Sequence, residues 1–142
     1  ELLGHEPEIA AGRAALAAAA SPEERSRTFQ RLFEAVMHRW LQGSFAPEDV
    51  EPWPRFRARV LAGLERIVAD APGRAIAFSS VGPLAVLLQR ALGTDDAASF
   101  RTAWRIRNAS LTTFVFDGKG RVTLDGFNAL PHLPDPSTWT FR

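Results

Sequence analysis

The chain has 142 residues, 46% of them hydrophobic, with 17 Lys and Arg against 16 Asp and Glu and no cysteine. That length and apolar fraction suffice for a globular fold with a buried core, and the near-balanced charge gives no basis for a nucleic-acid or acidic-membrane partner. Without cysteine there are no disulfides, thiolate metal sites or cysteine nucleophiles, and the longest apolar runs fall short of the roughly 18 residues a bilayer span requires, so a soluble, cytoplasmic protein is expected.

The sequence opens on Glu1 rather than methionine, and no charged-then-apolar leader precedes the first helical pattern. It therefore reads as beginning partway through a protein. From Pro7 to about Ala20 an alanine-rich run has high helix propensity but few large side chains to bury, which predicts a surface helix. Ser21-Pro22-Glu23-Glu24 is a helix start: a serine cap, proline at the first helical position, and a glutamate three residues after the cap to complete a capping box. Phe29, Leu32, Phe33, Val36, Met37 and Trp40 then recur at spacings of three and four, a face expected to be core, and Gly43 is placed to end the helix.

A Pro-containing loop, Ser44 to Pro52, leads to a third helix. Trp53, Phe56, Val60, Leu64 and Ile67 share one face of it, with Arg55, Arg57, Arg59, Glu65 and Arg66 mostly on the other. Pro72-Gly73 stops that helix, and the uncharged run Ala75 to Phe78 is expected to be a short buried strand. Pro83 to Leu92 is helical and closed by Gly93, and a short helix near Asp95 to Phe100 is expected with Thr94 as its cap. Leu111 to Phe116 is β-branched and aromatic, Asp117-Gly118-Lys119-Gly120 is a turn, and Arg121 to Phe127 alternates with Val122 and Leu124 on one face, which together predict a hairpin. The tail from Pro131 to Arg142 contains three prolines and is expected to lie extended across the body, held by Trp139 and Phe141. This order predicts a layered α/β fold with flanking helices, whose mostly parallel sheet carries an antiparallel strand at one edge. Three strands are few for so many helices, as in a single incomplete domain that lacks N-terminal strands: a helical region over 1–52 and an α/β segment with its tail over 53–142.

Four stretches in order resemble one known family. Phe78-Ser79-Ser80-Val81-Gly82-Pro83-Leu84 is similar to the Ser/Thr-His-Gly-Gly-Pro-Ile turn of the histidine phosphatase (phosphoglycerate mutase-like) superfamily, with Ser80 at the position of the second catalytic histidine. Trp53-Pro54-Arg55-Phe56-Arg57-Ala58-Arg59-Val60 resembles the Trp/Phe-x-x-Phe-x-x-Arg-Val helix start before that strand. Asn108-Ala109-Ser110-Leu111-Thr112 resembles the Asn-x-Ser-(Ile/Val/Leu)-Thr opening of the next strand, and Asp125-Gly126-Phe127-Asn128-Ala129-Leu130-Pro131-His132-Leu133 resembles the closing strand and its exit. The resemblance implies phosphoryl transfer through a phosphohistidine, with an Arg-His-Gly turn as nucleophile and an acidic residue protonating the leaving group. Cationic and N–H donors would surround the equatorial oxygens, where transition-state charge is spread. No Arg-His-Gly occurs in this chain, so the nucleophile would lie outside it; Glu1 and Glu6 fall near the region of the acidic residue without a motif selecting either. The alternative is a non-catalytic, phosphate-binding or regulatory relative of the same fold.

Ser80 has two readings. In one, its hydroxyl and the Val81 and Gly82 amides face a phosphate at a helix N-terminus. In the other, Ser79 and Ser80 cap that helix and Gly82-Pro83 shapes the turn. Serine supplies no imidazolium charge, so the first reading predicts weaker transition-state stabilisation than a histidine gives. Partners implied are a phosphorylated small molecule or phosphoprotein, and homo-oligomerisation is one expectation, since an unpaired sheet edge invites pairing.

Arg101, Arg105 and Arg107 form either a solvated basic face or a contact for a phosphoester or acidic partner. His5, His38 and His132 lack any ligand spacing, so no metal and no cofactor is expected. The tryptophans read as anchors rather than a base-stacking platform, and Asn108-Ala109-Ser110 as a fortuitous glycosylation pattern. The helical region Pro7 to Gly43, with Phe29, Phe33 and Trp40, is a candidate partner-binding or substrate-selecting surface.

Overall fold

The computed structural model describes residues 7–44, 49–70, 73–117 and 119–141. In chain order the elements are α1 (Pro7–Ala18), α2 (Pro22–Leu41), α3 (Trp53–Asp70), α4 (Val81–Leu92), α5 (Asp96–Ala103), β1 (Leu111–Phe116) and β2 (Val122–Ala129), followed by a 3-10 turn at Pro136–Thr138. They form two compact units, Glu1–Arg55 and Phe56–Arg142, with α3 starting in the first and continuing in the second.

In the first unit α1 packs along α2. Gly12 sits at their approach: a Cβ there would come 2.9 Å from Leu32 Cδ1, a contact that a shift of the leucine tip would relieve. The start of α2 follows its sequence signature, with Ser21 extended and its Oγ accepting the Glu24 amide at 3.1 Å. The Glu24 carboxylate accepts the amide of Ala20 at 2.9 Å, one residue earlier than a standard capping box. The apolar face of α2 departs from expectation, because none of its residues is fully buried and Phe29 is 51% exposed. Its neighbour α1 brings only Ile9 and Leu16 as large apolar side chains, too little surface to cover a 20-residue face. At the other end of the helix, Trp40 meets Trp53 edge-on with ring centroids 5.1 Å apart, and its Nε1 donates to the Glu51 carbonyl at 2.8 Å.

The second unit holds the larger core: Ala85, Val86 and Leu88 of α4, Phe100 and Ala103 of α5, Ile106 and Leu130 are all buried. Helix α4 packs against α5 and β2, and it ends at Gly93, whose φ of 65° is the left-handed conformation that glycine adopts without strain. Helix α5 is capped by Asp95, not Thr94; the Asp95 carboxylate accepts the Ala98 amide at 2.7 Å. Thr94 instead hydrogen-bonds the buried Ser99 hydroxyl at 2.7 Å. The expected hairpin is present. Leu111 opposes Ala129 and Phe116 opposes Val122 in an antiparallel ladder interrupted by irregularities on either side of Thr113. At the turn, Asp117 accepts the Lys119 and Arg121 amides, both at 2.9 Å, and the Arg121 Nε at 2.7 Å. The Arg121 backbone N–H, then its guanidinium, hold the Asp117 carboxyl below the usual aspartate range.

Ala75–Phe78 corrects the expectation of a buried strand. Residues 74–80 form no regular element and have no strand partner among the described residues, and Ile76 and Phe78 are 89% and 100% exposed. A strand is defined by the neighbour it bonds to, and the two strands present bond to each other. The described sheet is therefore a two-stranded antiparallel one. His5, Glu1, Glu6, positions 45–48, Pro72, Gly118 and Arg142 lie outside the described residues, and with them part of the expected helix stop and hairpin turn. No described helix is long and apolar enough to cross a membrane.

Candidate functional site

The turn between the Ala75–Phe78 segment and α4 is where chain direction, exposure and chemistry meet. Ser80 takes the cap position with extended backbone, φ −124° and ψ 174°, and its carbonyl accepts the Leu84 amide at 3.2 Å, opening the helix. Its hydroxyl makes no capping bond. The first turn of α4 thus presents backbone N–H groups that no side chain of the cap satisfies, at the positive end of a 12-residue helix. Pro83, which has no N–H to lose, sits within that first turn. Ser79 and Ser80 are exposed, while Val81 and Gly82 are half-buried.

What lies beneath the turn is Phe56 of α3. A Cβ placed on Gly82 would come 3.2 Å from Phe56 Cζ, so a side chain there would press on the ring. The Arg59 guanidinium carbon lies 5.2 Å from the centroid of the same ring, a cation–π arrangement one turn along the helix. Sequence periodicity placed Phe56 on a core face; it gave no sign that the ring would support this particular turn. The missed feature farther along is a chain of polar side chains joining three helices. Arg57 Nε donates to Gln89 Oε1 at 2.6 Å, and Gln89 Nε2 donates to Asp96 Oδ1, which fixes α3, α4 and α5 to one another. Only the Gln-Arg pair near the end of an otherwise apolar helix hinted at it.

The other candidates separate. Arg101 and Arg105 are exposed, but Arg107 is not part of an outward basic face. Its guanidinium lies 4.4 Å from the Trp139 ring and 5.6 Å from Phe141, and its NH1 donates to the Asn128 carbonyl at 3.4 Å. His38 is exposed and hydrogen-bonds Gln42, and His132 is exposed in the exit loop. No group of three His, Cys, Asp or Glu side chains suited to a metal ion occurs among the described residues. Phe29 and Phe33 stack nearly parallel at 6.0 Å on α2, whereas Trp40 is engaged with Trp53. A shallow, open groove lined by Gly63, Arg66, Ile67, Asp70 and Ala75 lies at the end of α3, and Ser80 is not among its lining residues.

The second unit is thus an α/β unit in which the Ser80 turn, with Gly82 in the first helical turn, opens a helix on a buried core. The family model of the histidine phosphatase superfamily (branch 1) matches residues 17–129, and the chain belongs to that superfamily. No curated protein and no solved structure matches it.

Proposed function

We propose that the protein is a phosphoryl-transfer hydrolase, a phosphatase, or a mutase-like member of its superfamily, with a nucleophilic histidine that lies outside these 142 residues. The observation that carries the reading is the superfamily match over 17–129 together with the uncapped, exposed start of α4 at Ser80. In this reading the Ser80 hydroxyl and the Val81 and Gly82 amides bind the phosphate of a phosphorylated small molecule or phosphoprotein. Ser80 takes the place of the second catalytic histidine and donates a neutral hydrogen bond where the imidazolium would add charge. In this reading Ala75–Phe78, unpaired and exposed in these 142 residues, pairs into a mostly parallel sheet with strands that, like the Arg-His-Gly turn, lie outside them.

Serine in place of histidine favours a second reading, a relative that keeps the anion turn but serves binding or regulation. One measurement separates the two: turnover of a generic phosphomonoester by the intact protein, with and without replacement of the histidine in its Arg-His-Gly turn. Steady turnover abolished by that replacement supports the enzyme. An intact sequence without an Arg-His-Gly turn, or an absence of turnover, sinks it.

A further inference from the structure

The superfamily match ends at Ala129, yet the chain continues in an ordered path to Phe141, and this segment is folded mainly on itself. The Leu133 amide donates to the Leu130 carbonyl, Asp135 accepts the Ser137 amide at 2.9 Å, and the Trp139 indole N–H turns back to the Leu133 carbonyl at 2.9 Å. Its backbone joins the rest of the unit at an antiparallel bridge of Phe141 with Arg107, where the Asn108 amide donates to the Thr140 carbonyl at 2.9 Å, and the Asn108 Nδ2 donates to the Thr140 Oγ1 at 2.9 Å. The remaining anchor is Arg107, whose guanidinium lies against Trp139 and Phe141.

We propose that residues 133–141 form a strap that opens from the body as a unit, with Arg107 as its latch and Asn108 as the tether of its far end. Two opposing contributions of similar size meet at the latch. Cation–π contact with two rings holds the guanidinium. Against it, Arg107 Nε and the neighbouring Ser110 Oγ are buried without a hydrogen-bond partner, a cost relieved when the strap lifts and water reaches them. None of residues 131–141 is fully buried, so the strap itself is no part of the buried core. When the strap is open the Arg107 cation passes from between the rings to the surface near the exposed Arg105, which restores the basic face that the closed form divides. The device is independent of the Ser80 turn.

Amide hydrogen exchange on the full chain tests it. The Asn108 amide, whose bond to the Thr140 carbonyl breaks on opening, should exchange faster than the Val115 and Thr123 amides of the hairpin ladder. Arg107→Ala should raise exchange at Asn108 by about tenfold while leaving the hairpin amides unchanged. Trp139→Leu, which removes the nearer ring and keeps the arginine, should act in the same direction and serves if Arg107→Ala does not fold. An Asn108 amide that exchanges only together with the hairpin overturns the opening, and an unchanged Asn108 rate in the folded variant overturns the latch.

Discussion

Asn128→Ala should destabilise the second unit by about 2–3 kcal/mol, and its components can be worked separately. Asn128 sits in β2 with φ 57°, where its Oδ1 accepts the Arg107 amide at 2.8 Å and its Nδ2 donates to the Arg105 carbonyl at 2.7 Å. Loss of the half-buried first bond costs about 1 kcal/mol and the exposed second one roughly half of that. Alanine in the left-handed region costs about 1 kcal/mol more, because asparagine tolerates that conformation and alanine does not. Asn128→Gly loses the same two bonds but adopts the backbone freely, so it should be about 1 kcal/mol more stable than the alanine variant. Urea unfolding should be followed at hairpin amide resonances, since the chain has two compact units and one optical signal would blend them. An alanine variant within about 0.5 kcal/mol of the parent, or a glycine variant less stable than the alanine one, would refute the reasoning.

Other outcomes follow from the same structure. Leu88→Ala removes a fully buried side chain from the α4 core and should cost about 2–5 kcal/mol in the same urea experiment. Ser21→Ala should lower the stability of the first unit by about 1 kcal/mol, read as a loss of helical circular dichroism on heating, because Oγ is the acceptor for the Glu24 amide. Asp117 has its folded pKa depressed below the ordinary 3.8, chiefly by the Arg121 amide. Its contribution is therefore full above that value and disappears as pH falls through the lower folded value. Asp117→Asn should flatten the acid limb of a hairpin stability profile, and an unchanged limb would contradict this. Ile76 and Phe78 are exposed on an unpaired segment, so the 142-residue chain should self-associate, and Phe78→Lys should shift its sedimentation toward monomer.

Where the chemistry is local, the sequence was enough. Ser21-Pro22 with Glu24, the glycine after α4 and the Asp117 turn each fix a helix end or a reversal by bonds within four residues, and each appears where expected. Choices between adjacent residues were harder: Thr94 and Asp95 are both good caps, and Thr94 is drawn instead to the Ser99 hydroxyl. What the sequence could not settle depends on partners distant in the chain. An uncharged run such as Ala75–Phe78 is suited to a buried strand, yet burial requires a neighbour on each side, and pattern alone does not supply one. The same holds for α2, whose spacing correctly predicts an amphipathic helix but not how much of its face α1 covers. At the site, Ser80 at the start of a helix was legible from the turn residues. Phe56 beneath Gly82 was not, because neither periodicity nor motif spacing says which ring meets which backbone. Arg107, grouped by sequence with Arg101 and Arg105, is taken out of that group by two aromatic residues more than thirty positions later.

The central claim is that the Ser80 turn binds a phosphoryl group. Titration of inorganic phosphate into the protein, followed at the backbone amides of Val81 and Gly82 by NMR, tests it most directly. Saturable shifts at these two amides, weakened several-fold by Ser80→Ala and absent with a chloride control, are predicted. Amides that do not respond, or that respond equally with and without the Ser80 hydroxyl and to chloride, would contradict it.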